Sequence, residues 1–266
     1  MNHFLNGLSL GMGLLSIGRS WGFFTKPVPT EQEVAALLDV ALNAEIFLWD
    51  TAPAYFLSEA RIGRYLSQLP PKKRSQVLVM TKFGEHVDTT TVDASAVKTY
   101  ADHSYGALAR SFENSLRHLG KIVAVQVHKA SLHNIIATDT LKALAAAKKY
   151  GVQYVGASVG DVETGLLAIE SGHYDFLQFP LSSSQRGLMA LIEKADRHKV
   201  SVVTNRPFAM GALMQAGTDT ESADEAAFSA MLFLKQHVKN GAVLTGTSNV
   251  KHLHANIKAF KAALAS

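Results

Sequence analysis

Three side chains capable of acid, base or hydrogen-bonding chemistry each end a short apolar run: Asp50, Lys82 and His128. An ammonium group at the end of a buried strand loses much of its hydration, so Lys82 needs an opposite charge close by. Asp50, which ends the preceding run, is the expected partner. A structural ion pair beside a histidine would leave the same pattern. These three residues alone therefore keep a structural and a catalytic interpretation open.

Tyr55 favours the catalytic interpretation. It follows Asp50 on the loop after the apolar run, and Pro53 restricts that loop. A tyrosine hydroxyl has a reference pKa of about 10 and exchanges protons poorly near neutrality. We expect the Lys82 ammonium to lower the pKa of Tyr55, with Asp50 holding Lys82 and His128 binding a substrate oxygen. The four residues predict a proton-transfer site for a carbonyl or an alcohol.

Eight short apolar runs, each followed by a segment with helical periodicity, must position these residues. The runs lack regular polar alternation, which is typical of strands covered on both faces in a parallel sheet. They lie at residues 8–10, 46–49, 77–80, 122–127, 154–157, 176–179, 202–204 and 242–244. This pattern predicts an α/β chain folded as a (β/α)8 TIM barrel, in a single domain over residues 1–266. An open doubly wound sheet, which usually has fewer strands, is the competing architecture.

Several predicted elements have recognisable ends. Thr30 and Glu33 form a capping box before the first helix, and Gly120 follows the third as a C-terminal cap. Ser222 is expected to begin the seventh helix. Residues 11–13, Gly-Met-Gly, partly match a dinucleotide-binding glycine loop. Because no third glycine and no clean helix follow, we interpret them as the first strand and its loop.

Composition narrows the class of protein. Hydrophobic residues make up 47% of the 266 residues, enough for a sizeable core, so disorder is excluded as the dominant state. The net charge of +4 has no long block of one sign, which argues against a nucleic-acid partner, and no apolar run is long enough to span a membrane. The absence of cysteine excludes disulfides and suits a cytoplasmic protein. No histidine cluster has the spacing of a metal site.

Four segments resemble motifs of the aldo-keto reductase superfamily, in the order in which that family carries them. They are residues 50–55 with 58–59 and 62–63, residues 80–84, residues 115–119 leading to His128, and residues 246–250 ahead of Asn256. The resemblance covers nearly the whole chain. It implies a nicotinamide-dependent oxidoreductase on a (β/α)8 barrel, with a small-molecule carbonyl or alcohol as substrate.

The resemblance also implies a role for each of the four residues at the strand ends. A nicotinamide delivers hydride to an aldehyde, ketone or sugar carbonyl, or removes it in the reverse reaction, while Tyr55 protonates the oxygen. Lys82 and Asp50 tune Tyr55, and His128 positions the carbonyl. An auxiliary or sensory subunit that binds the cofactor with little turnover is the alternative. A barrel hydrolase or isomerase ranks last, because Asp50 is the only carboxylate found at the end of a predicted strand.

The cofactor contacts implied by the resemblance include two departures. Ser158 and Gln178 match the family's carboxamide contacts, but Val159 stands at an asparagine position and has no side-chain donor or acceptor. Asn205 replaces an aromatic residue that stacks on the nicotinamide in many members. Arg206 is expected either to reach a phosphate or ribose or to form a salt bridge at the barrel rim.

Residues 246–250 precede a helix, whose N-terminus favours a phosphate. The expected contacts there are Gly246, Thr247, Ser248, Lys251, His252 and Asn256. NADP-preferring relatives often carry a lysine and an arginine at the positions of Gly246 and His252. Both cations are absent, but Lys251 is close enough to substitute, so we expect NADP(H) rather than NAD(H).

Trp21 and Phe23, on the loop after the first strand, are expected to form an aromatic wall of the substrate pocket or to pack at the barrel rim. The sequence ends soon after its last predicted helix, where larger relatives carry an extension over the pocket. We therefore expect an open site. No pattern specifies the oligomeric state.

Overall fold

Eight parallel strands close into a barrel in the computed structural model, which describes residues 3–20, 27–209, 211 and 220–266. The strands are β1 (Leu8–Gly13), β2 (Leu48–Asp50), β3 (Leu78–Phe83), β4 (Glu85–Val87), β5 (Thr99–Ala101), β6 (Ala124–Val127), β7 (Tyr154–Ser158), β8 (Phe176–Pro180), β9 (Ser201–Asn205) and β10 (Gly241–Thr245). All except β4 and β5 form the barrel, which closes because β1 pairs with both β2 and β10. The (β/α)8 TIM barrel is confirmed, and the open sheet is excluded.

Helices follow the barrel strands in the predicted order. They are α1 (Glu31–Asn43), α2 (Ser58–Gln68), α3 (Pro71–Arg74), α4 (Tyr105–Leu119), α5 (Thr138–Lys149), α6 (Val162–Ser171), α7 (Ala190–Arg197), α8 (Thr220–His237) and α9 (Val250–Ala265). The capping box of Thr30 and Glu33 is present, and Gly120 ends α4 with a φ of 73°. Ser222 lies inside α8, so its prediction as the start of that helix is wrong. None of the described helices is long and apolar enough to cross a membrane.

An antiparallel hairpin of β4 and β5, which the sequence analysis missed, lies at the C-terminal end of β3. Gly84 makes the turn into it, with a φ of +103°. A Cβ atom at Gly84 would lie 2.5 Å from Nε2 of His103, so both the conformation and the space require glycine. The hairpin packs against the Pro53–Tyr55 turn and brings Glu85 to the mouth of the barrel.

Side chains fill the barrel in layers, because inward-facing residues recur at every second position of a strand. An apolar layer closes the interior, formed by Leu48, Met80, Ala124, Phe176, Val203, Ala242 and Leu244. Two positions after members of this layer stand Asp50, Lys82, Gln126, Gln178, Asn205 and Gly246. This layer, which is polar except for Gly246 and is called the polar layer below, lies on the apolar layer and faces the C-terminal mouth, where barrel enzymes carry their active sites.

Glu59 of α2 is a buried acid next to this layer, only 4% exposed. Its Oε1 accepts a hydrogen bond from Thr81 at 2.5 Å. Burial disfavours the ionised form more than Thr81 and Lys82 stabilise it, so the pKa of Glu59 is raised from 4.5 to about 7. The stability that the neutral acid contributes is complete below the unfolded-state pKa, and it is lost as the pH rises through the folded-state pKa.

We expect Glu59→Gln to remove this pH dependence, because glutamine keeps an acceptor for Thr81 and carries no charge. From about pH 5 to about pH 8, the wild type should lose roughly 2 to 3 kcal/mol more of its free energy of unfolding than the variant. Urea denaturation at both pH values measures the difference. Glu113→Gln, at an exposed position of α4, is the control and should follow the wild type. Equal losses in Glu59→Gln and the wild type would contradict the assignment.

Candidate active site

The centre of the polar layer is an ion pair between Lys82 of β3 and Asp50 of β2. Nζ of Lys82 lies 2.5 Å from Oδ1 of Asp50 and donates a second hydrogen bond to the carbonyl oxygen of Thr51 at 3.0 Å. The side chain of Lys82 is only 1% exposed. Burial opposes its charge, but Asp50 and Tyr55 outweigh burial and raise the pKa of Lys82. Lys82 is therefore a buried cation with matched acceptors.

The Pro53–Tyr55 turn, a single turn of 3-10 helix after β2, places Tyr55 against this ion pair. Nζ of Lys82 lies 4.9 Å from the centroid of the Tyr55 ring. The rings of Tyr55 and His128 meet edge-on, with centroids 6.0 Å apart. Phe56, the next residue, has a φ of 57°, a strained value for a bulky side chain. The structure thus brings Asp50, Tyr55, Lys82 and His128 together at one point of the barrel mouth.

The acidity of Tyr55 differs from our expectation. Burial raises the pKa of Tyr55 above its ordinary value of 10.0, and Lys82 offsets only part of that rise. Asp50 and Glu85 act in the same direction as burial. Lys82 lowers the pKa of Tyr55 as expected, but the net pKa is raised, so the expectation of an unusually acidic phenol is wrong. Lys82 limits the rise, and Tyr55 keeps its proton at neutral pH.

A second carboxylate lies at the mouth, although the sequence analysis found only Asp50. Glu85 of β4 is 8% exposed, and its Oε2 lies 3.0 Å from Nδ1 of His128. Its Oε1 accepts a hydrogen bond from Thr99 of β5 at 2.8 Å. Burial opposes the ionised form, but His128, Thr99 and Lys129 outweigh it and lower the pKa of Glu85 to about 2. Glu85 and Asp50 are thus held by different partners and do not form a carboxylate pair.

Gln126 of β6, which the sequence analysis left unassigned, joins Asp50 to Gln178 of β8. Its side-chain amide donates to Oε1 of Gln178 at 2.6 Å and to Oδ1 of Asp50 at 3.2 Å. Gln126 is fully buried, and Asp50 and Gln178 are each 2% exposed. Oε1 of Gln178, the predicted carboxamide contact, is therefore held by Gln126 within the same layer as the ion pair.

The other side of the mouth has features that fit a nicotinamide ring. Oδ1 of Asn205 is buried and has no hydrogen-bond partner among the described residues. Asn205 follows the inward-facing Val203 by two positions, so it lies on the inward face as well. Next to it around the mouth are Gly246 and Gly13. Among the described residues, a Cβ atom on Gly246 would meet only the carbonyl oxygen of Gly13, at 3.4 Å. Within the described part of the chain, this side therefore carries an acceptor without a partner, beside two residues without side chains.

The two residues at the end of β7 point in opposite directions. Ser158 pairs in register with Gln178 and so shares its inward face. Val159 is 3% exposed and packs in the hydrophobic core around the barrel. The side chain of Val159 therefore does not face the mouth. This agrees with the expectation that it makes no hydrogen bond to a cofactor.

The predicted phosphate segment connects β10 to α9. Asn249 caps this helix: its Oδ1 accepts the N–H groups of Lys251 at 2.8 Å and His252 at 3.4 Å. These N–H groups, which we expected to be free for a phosphate, are already occupied. The side chains of Lys251 and His252 are exposed, and Asn256 is 7% exposed. A phosphate here could therefore not use these two N–H groups while Asn249 caps the helix.

The remaining predicted contacts are Arg206, Trp21 and Phe23. Arg206 is exposed beside Asn205, and it forms no ion pair with any described residue. Trp21 and Phe23 lie outside the described residues. Within the described ranges, no group of three histidine, aspartate or glutamate side chains could hold a metal ion.

The polar mouth lies at the C-terminal ends of the barrel strands, where enzymes with this fold carry their active sites. The sequence matches the model of the Aldo/keto reductase family over residues 9–231. The chain therefore belongs to the aldo/keto reductase family, and it is an NAD(P)-dependent oxidoreductase that acts on carbonyl or CH–OH groups. No curated protein matches the chain significantly.

Similar solved structures extend over nearly the whole chain. A Pseudomonas aeruginosa protein assigned as an aldo-keto reductase is 27% identical, with a TM-score of 0.78 over 98% of this chain and 91% of its own. An aldo-keto reductase from Bacillus halodurans, in its holo form, is 21% identical, with a TM-score of 0.78 over 97% and 90%. A glycerol dehydrogenase from Gluconobacter oxydans is also 21% identical, with a TM-score of 0.76 over 98% and 91%. At 21% identity, the similarity to the Bacillus halodurans and Gluconobacter oxydans structures shows only a shared fold.

We expect Gln126 and Gln178 to be energetically coupled through their hydrogen bond. Gln126→Leu leaves Oε1 of Gln178 without its donor. Gln178→Leu leaves one N–H of the Gln126 amide without its acceptor, while Asp50 still accepts the other. Each change should cost roughly 1 to 3 kcal/mol of the free energy of unfolding. The double variant should cost less than the sum, by about 1 kcal/mol, because no unpaired amide remains. Urea denaturation of the four proteins measures the coupling, and strictly additive losses would rule it out.

Proposed function

We propose that this chain reduces the carbonyl group of an aldehyde, ketone or sugar to an alcohol, or catalyses the reverse oxidation, with Tyr55 as the proton donor. The observation that carries the proposal is the position of the Tyr55 ring against the Lys82–Asp50 ion pair. The proposed catalytic domain spans residues 1–266. A cytoplasmic location belongs to the proposal, because a chain without cysteine needs no oxidising compartment.

Tyr55 is suited to donate a proton because it keeps one at neutral pH. Its raised pKa means that the phenol is protonated when a substrate oxygen arrives between Tyr55 and His128. Donation leaves a phenolate next to the ammonium group of Lys82, which lies 4.9 Å from the ring centroid and stabilises the new charge. Asp50 keeps Lys82 charged and directed. The Lys82–Asp50 ion pair therefore stabilises the Tyr55 phenolate that forms after proton transfer more than it affects the protonated phenol.

The residues on the β9–β10–β1 side of the mouth would hold the cofactor. A bound nicotinamide supplies hydride chemistry that no side chain provides. Asn205 would accept a hydrogen bond from the carboxamide through its unpartnered Oδ1, and Ser158 would contact the same group. Asn205 would thereby supply the amide contact that Val159 lacks. Gln178 is the other proposed carboxamide contact, with its Oε1 held by Gln126.

NADP(H) is the proposed cofactor rather than NAD(H). Lys251 is exposed at the start of α9, a few residues after Gly246, Thr247 and Ser248, and the N-terminal end of the helix dipole adds attraction for a phosphate. His252 is exposed on the same turn. Arg206 provides a second exposed cation at the mouth, for a phosphate or ribose. Asn256, the last proposed contact, is buried on α9.

A cofactor-binding auxiliary or sensory subunit remains the second candidate, because Val159 and Asn205 depart from the cofactor contacts of the family. The positions of Tyr55, Lys82 and Asp50 favour the enzyme, since a subunit that only binds needs no proton donor beside a buried cation. Turnover by the purified chain separates the two candidates.

We expect Tyr55→Phe to reduce turnover by about 10²- to 10⁴-fold while cofactor binding is kept, because phenylalanine retains the ring and loses the proton. Oxidation of NADPH and NADH with a panel of aldehydes, ketones and sugars measures turnover, and fluorescence titration measures cofactor binding. Tyr65→Phe is the matched control, since the hydroxyl of Tyr65 bonds to Asp39 at 2.6 Å, outside the site. Full turnover in Tyr55→Phe would eliminate Tyr55 as the donor.

We expect Lys251→Ala to weaken NADP binding by roughly three- to tenfold and to leave NAD binding unchanged, because only NADP carries the additional phosphate. Lys258→Ala is the control on the same helix, where Lys258 is paired with Asp224 at 2.7 Å. Fluorescence titration with both cofactors gives the dissociation constants. Equal changes in the dissociation constants of NADP and NAD would show that Lys251 does not bind the additional phosphate.

A further inference from the structure

The contact between His128 and Glu85 constrains where the imidazole carries its hydrogen. Nδ1 of His128 is buried and lies 3.0 Å from Oε2 of Glu85. An ionised carboxylate only accepts hydrogen bonds, so a bare nitrogen lone pair facing it at this distance would be repelled. Nδ1 must therefore carry a hydrogen. Its N–H is not well aligned with Oε2, so the attraction is mainly electrostatic.

Both partners of this contact are fixed by their surroundings. Oε1 of Glu85 accepts the Thr99 hydroxyl at 2.8 Å and lies 3.6 Å from Nζ of Lys129, which leaves Oε2 for His128. The backbone carbonyl of His128 accepts a hydrogen bond from Nε2 of His103 at 2.7 Å. The carboxylate and the ring therefore meet through one defined pair of atoms.

The charges around His128 favour a neutral ring. Burial is the largest influence on the pKa of His128; Lys82 and Lys129 act in the same direction, Glu85 opposes them, and the net pKa is lowered. Tyr55, the edge-on neighbour, is uncharged. A neutral imidazole with its hydrogen on Nδ1 has a bare lone pair on Nε2. Because Nδ1 is buried against Glu85, Nε2 is the ring nitrogen left for a ligand.

We propose that Glu85 is a positioning residue that fixes the hydrogen of His128 on Nδ1, so that Nε2 accepts a hydrogen bond from a substrate hydroxyl. The substrate class that this site binds best is then an alcohol, since a carbonyl oxygen has no hydrogen to donate to Nε2. The inference rests on the proposed function, in which Tyr55 and His128 face the same substrate oxygen. An alcohol oxygen satisfies both groups, because it accepts from Tyr55 and donates to His128.

Glu85→Gln reverses this arrangement with little change in shape. Thr99 and Lys129 both require an acceptor at the position of Oε1, so the amide oxygen stays there and the amide nitrogen faces His128. An N–H donor opposite Nδ1 moves the imidazole hydrogen to Nε2, which turns Nε2 from an acceptor into a donor. Thr99→Val is the matched control, because it removes a donor to Glu85 and keeps the carboxylate.

Nitrogen-15 NMR of the histidine-labelled protein in complex with NADP⁺, at a pH where His128 is neutral, reports the position of the hydrogen. His128→Gln identifies the signal. We expect the hydrogen on Nδ1 in the wild type and in Thr99→Val, and on Nε2 in Glu85→Gln. A wild-type spectrum with the hydrogen on Nε2 would overturn the inference, and that result does not depend on whether Glu85→Gln folds.

Two unreactive probes of similar size test the substrate class in the same samples. tert-Butanol carries a hydroxyl but no transferable hydrogen on its carbinol carbon, and N,N-dimethylacetamide only accepts hydrogen bonds. In Glu85→Gln, the dissociation constant of tert-butanol should rise by about fivefold and that of the amide should fall by a similar factor, as one hydrogen bond is exchanged. Unchanged affinities in a variant whose tautomer has switched would refute the preference for an alcohol.

The inference and the proposed function fail in different measurements. Full turnover in Tyr55→Phe removes the proposed function, whatever the tautomer of His128. A wild-type hydrogen on Nε2 removes the inference and leaves the role of Tyr55 intact.

Discussion

The charge of Lys82 inside the barrel is the constraint on which the rest of the site depends. An unpaired ammonium group in this position would cost several kcal/mol of stability, so its acceptors must be in place whenever the chain is folded. Asp50 supplies the charge and Thr51 a carbonyl oxygen. The hydroxyl of Thr51 donates to Ser58, which donates to the carbonyl oxygen of Leu14. The start of α2 and the loop after β1 are therefore tied to the same ion pair, and Tyr55 lies on the segment between these anchors.

Much of this arrangement could be predicted from the sequence, because parallel strands all end at the same mouth. Asp50, Lys82 and His128 each end an apolar run, and a closed barrel brings such ends together. The same logic could have identified Gln126. It lies two positions before His128 in an otherwise apolar run, so it shares the inward face, and a buried amide requires hydrogen-bond partners. The apolar run around Gln126 predicts only a strand, which is why its role in the site was not predicted.

Other features depend on the folded environment and have no local signature. The hairpin that carries Glu85 consists of strands of three residues each, too short for a periodicity to develop. The acidity of Tyr55 was inferred from one neighbour, Lys82, whereas the folded chain adds burial and two carboxylates that act against it. A nearby cation is visible in the sequence as a residue type, but desolvation is a property of everything packed around the group.

Under the proposed function, Asn205 compensates for the amide contact that Val159 lacks. The two departures from the family's cofactor contacts therefore belong together. The valine at position 159 turns into the core around the barrel and adds apolar contact there. The asparagine at position 205 lies on the inward face, two strands further along the sheet, with an amide oxygen that has no partner among the described residues. An unsatisfied buried acceptor costs about 1 to 3 kcal/mol, so it is maintained at a net cost unless a ligand supplies the donor. A carboxamide N–H is such a donor.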